Sequence, residues 1–200
     1  LVNWGVNRGV INSSKVRLIR GSGVDLNVYQ DSAEPEGKVI VTFVARLLID
    51  KGIREFINAS RILHNNGTKT IFWIVGDIDE GNHKSITREE IASWKELPNV
   101  KFFGFREDIA DLYSKSNIAC LPSYREGLPR VALEAGSFGL ALLLSNVPGC
   151  RECLQNDFNG YLFTLSNEMD LITKIEYFIT HPDELKRMCD NSPTFIENNF

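Results

Sequence analysis

The feature that most constrains the fold is a run of seven residues, Val39–Ala45 (V-I-V-T-F-V-A), with a single polar interruption. A strand with one wet face would alternate apolar and polar side chains. A nearly continuous apolar run suits a parallel sheet covered on both faces. The pattern recurs at Thr70–Val75, Val100–Phe103, Asn117–Leu121, Ala141–Ser145 and Gly160–Phe163, each predicted as a strand. Helical segments separate them. Ile53–Asn65 carries Ile53, Phe56, Ile57, Ser60 and Leu63 at helical spacing and ends at Asn65-Asn66-Gly67. Thr87-Arg88-Glu89-Glu90 reads as a capping box opening another helix. Asp108–Ser114, the run after Gly127, Asn167–Thr180 and Pro182–Asn199 are the remaining predicted helices. Strand alternating with helix predicts an α/β, doubly wound parallel sheet. Ahead of it, Lys15–Arg20 reads as a further strand and Asp31–Gly37 as a charged linker. The expected division is therefore 1–37 as interdomain remnant and linker, and 38–200 as the compact domain.

In such a sheet ligands bind beyond the C-terminal ends of the strands. Each notable polar group follows a strand: Arg46 and Lys51, Gly76, Gly104, and Glu126. The stretch Pro122–Glu134 (P-S-Y-R-E-G-L-P-R-V-A-L-E) is the richest. Its helix is expected to start near Leu128 or Pro129, since proline fits a first turn where its missing N–H costs nothing. Open N–H groups and the positive end of the helix dipole make an anion site, and Gly127 allows close approach of a ligand to the backbone. Glu126 and Glu134 bracket it, and apolar Ala132, Leu133 and Ala135 set Glu134 beside buried surface. Arg46 and Lys51 either clamp a diphosphate, opposing charge that builds on a leaving group, or are solvated surface charges. Glu126 is otherwise a loop charge, Glu134 an exposed helix charge. Arg130 reaches either an anionic ligand or solvent.

Composition removes several function classes. A net charge of −4 gives no electrostatic case for nucleic acid. No apolar run approaches the roughly 18–20 residues of a membrane span. The 43% hydrophobic content suffices for a core. Cys150 and Cys153 form a C-x-x-C with no second pair to complete a zinc site, so they read as buried reduced thiols rather than a redox or metal pair. His64, His83 and His181 are scattered. Asp77-Ile78-Asp79 matches by letter the D-x-D that metal-dependent transferases use. Gly21-Ser22-Gly23 lacks the third glycine and following helix of a dinucleotide loop.

The chain resembles the large family 4 of retaining glycosyltransferases, which have the GT-B fold. The resemblance rests on Glu126-(x)7-Glu134 and on Gly23-Val24-Asp25, Ala45-Arg46-Leu47 with Lys51-Gly52, Val75-Gly76, Phe103-Gly104 and Val147–Glu152 (V-P-G-C-R-E), in the family's order over nearly the whole chain. The wording E-G-L-P-R-V and V-P-G-C-R-E is most similar to enzymes that build bacterial lipopolysaccharide, capsule and other surface glycans. It implies that 38–200 is the Rossmann-like, C-terminal, donor-binding half of a GT-B enzyme that lacks its N-terminal acceptor domain here. Arg46 and Lys51 would contact donor phosphates and Glu126 the transferred sugar, the catalytic set. Glu134 would hold the ribose hydroxyls, Gly127 and Leu128 would offer backbone N–H groups, and Arg130 would sit at a variable position. Gly76, Phe103 and Gly104 would border the nucleotide, with Phe103 more a core residue than a stacking one. Glu152 would be a helix N-terminal carboxylate or a structural cap.

The implied donor is a nucleotide sugar, with UDP as the expected nucleotide, no metal and no other cofactor. The implied acceptor is a growing surface glycan or lipid-linked glycan. The implied location is cytoplasmic, with room for peripheral association of the full-length enzyme at the inner face of the membrane. This half alone is expected to be inactive in transfer. A GT-B-fold sugar-nucleotide epimerase, another nucleotide-binding Rossmann domain and a non-catalytic module are the alternatives.

Overall fold

The computed structural model describes residues 6–10, 12–15, 23–25, 37–165 and 167–200. Of the strand expected at Lys15–Arg20 only Lys15 is described, and it ends a 3₁₀ turn, Ser13–Lys15; the rest of that strand and nearly all of the linker expected at Asp31–Gly37 lie outside the described residues. Six strands form one sheet: β1 (Ile40–Val44), β2 (Ile71–Val75), β3 (Val100–Gly104), β4 (Ile118–Leu121), β5 (Ala141–Ser145) and β6 (Gly160–Phe163). Their order is β3-β2-β1-β4-β5-β6, and every pairing is parallel. The helices are α1 (Ile53–Asn65), α2 (Arg88–Lys95), α3 (Ile109–Tyr113), α4 (Arg130–Ser137), α5 (Pro148–Glu152), α6 (Glu168–Thr180) and α7 (Pro182–Asn199).

The apolar runs are continuous because both faces are covered. Ile118 and Cys120 of β4 enter one core cluster with Val41, Phe43, Phe72, Ile74 and Leu143. The alternate residues Ala119 and Leu121 enter the other with Leu142 and Leu144. Phe56 and Ile57 of α1 and Ile172 and Ile175 of α6 close the first layer. Ala132, Leu133 and Ala135 of α4 close the second. Helix α7 joins the layers, with Met188 in the first cluster and Ile196 in the second. Each fully buried Val, Leu, Ile, Phe or Met side chain among them contributes about 1.5–3 kcal/mol by leaving water.

The expected capping box at α2 is present. Glu90 N–H donates to Thr87 Oγ1 at 3.2 Å, and Thr87 N–H donates to Glu90 Oε2 at 2.9 Å. Two expectations are corrected. Pro129 stands outside α4 as its N-cap, with an extended ψ of 104°, rather than within the first turn. Its carbonyl accepts from Ala132 N–H at 3.0 Å, so the proline opens the helix through its oxygen. Glu152 ends the short α5 instead of opening it, because Pro148 already occupies the first turn.

Strand order reverses between β1 and β4. The chain runs from β1 outward to β3, then returns to the other side of β1, so the loops after β1 and β4 part over a crevice. Two glycines set how closely these loops approach their supports. Gly52, at φ 75°, lies so near Pro122 that a Cβ would fall 1.9 Å from the Pro122 carbonyl oxygen. A Cβ on Gly149 would fall 2.0 Å from the Gly127 oxygen. By contrast, a Cβ on Gly127 would meet nothing within 4 Å. Gly149→Ala is therefore expected to destabilise the chain by about 1–3 kcal/mol through overpacking. Gly127→Ala should stay within about 0.5 kcal/mol of wild type. Thermal and denaturant unfolding check both; equal effects would contradict this account of the loop's support.

Candidate functional site

The loop after β1 is built by a 3₁₀ turn, Ile49–Lys51, closed when Gly52 N–H donates to Ile49 O at 2.9 Å. Only a residue free to adopt the left-handed region closes such a turn without strain. The loop after β4 is tied to it, since Tyr124 N–H donates to Asp50 O at 2.9 Å. The Tyr124 hydroxyl also bonds Glu55 of α1, and that bond, followed by burial, raises the phenol to about 12. These ties bring Lys51 Nζ within 2.7 Å of Glu126 Oε1. The carboxylate side chain keeps 10% of its surface and the lysine 25%. A lysine and a glutamate 75 positions apart thus meet at the sheet's switch point.

Beside this pair lies the start of α4. The N–H groups of Arg130 and Val131 precede any intrahelical acceptor, as first-turn amides do, and form the positive end of the helix dipole. The open space at Gly127 adjoins them. Glu134 is 8% exposed, and Arg130 Nε donates to its Oε1 at 2.9 Å. Arg130 therefore reaches a carboxylate of its own helix and presents the rest of its guanidinium to solvent. Leu128 packs its side chain against the second core cluster.

The third part of the site follows β2 and β3. Gly76 N–H donates to Gly104 O at 2.8 Å, so the two predicted glycines touch. They border a cavity of about 340 Å³ that Leu47, Asp77, Ile78 and Phe102 also line. That volume lies in the range of small-ligand pockets, about 300–1,000 Å³. Phe103 does not line it. Its ring meets Trp73 edge-on at 5.0 Å between centroids, with Lys101 Nζ 4.8 Å above it. The exposed aromatic after β3 is instead Phe105, 71% exposed on the loop just beyond. Sequence reasoning passed over Phe105, although an aromatic directly after a strand-ending glycine was a signal.

Arg46 is held by Asp79, Nη1 to Oδ2 at 2.7 Å. In the Asp77-Ile78-Asp79 run, Asp79 accepts from Arg46, and Asp77 Oδ1 accepts from Ile78 N–H at 2.8 Å. Among the described residues no group of three or more His, Cys, Asp or Glu could hold a metal ion. Cys120, Cys150, Cys153 and Cys189 are buried thiols. Burial raises the Cys150 thiol to about 12 and pushes Cys120 and Cys153 higher still. No helix among the described residues is long and apolar enough to cross a membrane.

The fold is a Rossmann-like α/β domain with a crevice at the β1/β4 switch point of its sheet. Residues 27–195 match the model of the family described as glycosyl transferases group 1, and the chain belongs to that family. Its sheet is the Rossmann-like half of the GT-B fold. It is 31% identical, over 84% of its length, to N,N'-diacetylbacillosaminyl-diphospho-undecaprenol alpha-1,3-N-acetylgalactosaminyltransferase of Campylobacter jejuni, of which 46% is covered. It is 30% identical, over 80% of its length, to UDP-Gal:alpha-D-GlcNAc-diphosphoundecaprenol alpha-1,3-galactosyltransferase of Escherichia coli, of which 41% is covered. The chain thus spans less than half the length of these curated relatives. Among solved structures, Anabaena Alr3699/HepE in complex with UDP-glucose shares the fold, with a TM-score of 0.77 and 24% identity over 89% of this chain and 52% of that one. The C-terminal domain of a glycosyl transferase group 1 family protein (LpcC) from Francisella tularensis does so with a TM-score of 0.71 and 20% identity, over 88% of this chain and 97% of that one.

The buried thiols give a pH prediction. A thiol whose value in the folded chain is raised above the ordinary 9.0 stabilises the fold fully below about pH 9. That stability is lost as pH rises and the unfolded thiols ionise first. Unfolding free energy should therefore fall above pH 9, and a thiol reagent at pH 8 should label the native chain far more slowly than the chain in denaturant. Rapid labelling of all four thiols in the native chain would contradict it.

Proposed function

We propose that this chain is the donor-binding half of a retaining glycosyltransferase. The enzyme moves a sugar from a nucleotide sugar, a UDP-sugar in our reading, to a lipid-linked or growing surface glycan. The observation that carries the proposal is the Lys51–Glu126 pair beside the open start of α4, at the β1/β4 switch point. An anion seated there meets first-turn N–H groups and the cations Lys51, Arg46 and Arg130 together.

The roles follow from chemistry and position. When the bond from the sugar's anomeric carbon to the diphosphate breaks, both electrons leave with the nucleotide. Lys51 and Arg46 oppose the charge that appears on it. Glu126, released from Lys51 as the phosphates take that cation, faces the sugar's hydroxyls and the positive charge developing at the anomeric carbon. Glu134, nearly buried with its carboxylate acceptors fixed by Arg130, suits the paired hydroxyls of ribose. The cavity between Gly76 and Gly104 suits the base. Protein cations supply the countercharge, so a metal has no assigned task in this reading.

The acceptor belongs to the half of the enzyme that this chain does not span. The two curated relatives named above act on undecaprenol-diphosphate-linked saccharides by their names. We extend that acceptor class to the full-length protein, with peripheral association at the inner membrane face where such a lipid would be met.

Calorimetric titration of the chain with UDP, with and without EDTA, tests the donor site. UDP should bind in both, and Lys51→Ala or Glu134→Ala should weaken it about tenfold or more. Binding that disappears with EDTA would overturn metal independence. Binding that both variants leave unchanged would overturn the site. The chain alone should transfer no sugar; measurable transfer would overturn the division of labour between the halves.

A further inference from the structure

Each of the three cations at the crevice already has a carboxylate partner: Lys51 with Glu126, Arg130 with Glu134, and Arg46 with Asp79. The first two pairs lie within the motif and its loop. Asp79 does not. It stands on the segment between β2 and α2, 33 positions from Arg46.

That segment is laid across the Arg46 loop by the backbone. Leu47 N–H donates to Asp77 O at 3.0 Å, Ile49 N–H to Lys84 O at 2.9 Å, and Ile86 N–H to Leu47 O at 3.1 Å. Leu48 and Ser85 form an isolated antiparallel bridge. Asp79 is itself anchored. Its N–H donates to Ser85 Oγ at 3.0 Å, and its Oδ2 accepts from Asn82 Nδ2 at 3.1 Å as well as from Arg46. The carboxylate is the fixed member of the pair, with 29% of its side chain exposed against 65% for Arg46.

Resting on the donor-site reading above, we propose that Asp79 is a positioning residue that tunes donor affinity through Arg46. It is the built-in countercharge that a nucleotide diphosphate must displace from Arg46. An exposed ion pair is weak, so it yields to a diphosphate that offers a guanidinium two oxygens at once. While it holds, it lowers the affinity of any anionic ligand that must take Arg46 from it. A neutral nucleoside gains nothing from breaking it. Asp79 thus acts on donor affinity through Arg46, and the segment 77–87 exists in part to deliver its charge.

The test is titration of the wild-type chain and of Asp79→Asn with UDP and with uridine. The substituted amide would keep an acceptor oxygen for Arg46 and lose the charge. UDP should bind roughly two- to fivefold tighter to D79N, uridine should bind as before, and the gain should vanish when Arg46→Ala is added. UDP binding by wild type with no gain in D79N overturns this inference alone. Weakening of both ligands in D79N, with a lower melting temperature, shows that Asp79 only holds the loop and also overturns it. Absence of UDP binding by the wild-type chain overturns the donor-site reading and this inference with it.

Discussion

The site depends on β1 pairing with β4. Val41 is registered against Ile118 and Thr42 against Ala119, all four in parallel strands. This single adjacency reverses the strand order and parts the loops that follow each strand. It would leave an empty notch if the loops were not braced. Gly52 braces one against Pro122, and Gly149 braces the other beneath Gly127. Backbone contacts that no side chain could make put Lys51 beside Glu126, where packing of longer residues would have held the loops apart.

Charge in the crevice is balanced before any ligand arrives. Three cations face three carboxylates at 2.7–2.9 Å. The arrangement avoids bare buried charge, which is costly. It also makes ligand binding an exchange of partners. Phosphates take cations, and carboxylates freed by that exchange turn to hydroxyl groups. The same pairs therefore stabilise the site and define which chemistry can replace them.

Much of this was legible in the sequence because it is local. Val39–Ala45 is long enough and apolar enough to betray a strand buried on both faces, and the structure trims it only to Ile40–Val44. Thr87 and Glu90 carry their cap within four residues. Glu134 was placed near buried surface by Ala132, Leu133 and Ala135, its own neighbours on the helix. What was not legible crosses the fold. Gly149 of α5 meets Gly127 of the loop before α4, and its motif neighbours suggested Glu152 as the residue of interest. The contact of Asp79 with Arg46 joins the loops after two different strands, 33 positions apart. Phe103 and Phe105 are equally aromatic on paper; the strand's end alone decides that one meets Trp73 and the other solvent.

The most direct measurement is a map of backbone amide NMR shifts on adding UDP to the chain. The account predicts that the perturbed amides gather in 45–52, 76–79, 103–106 and 126–134, the loops at the C-terminal ends of β1, β2, β3 and β4. Perturbations gathered at the opposite edge, in 68–71 and 98–101, would contradict it and place the nucleotide away from the crevice on which the whole account rests.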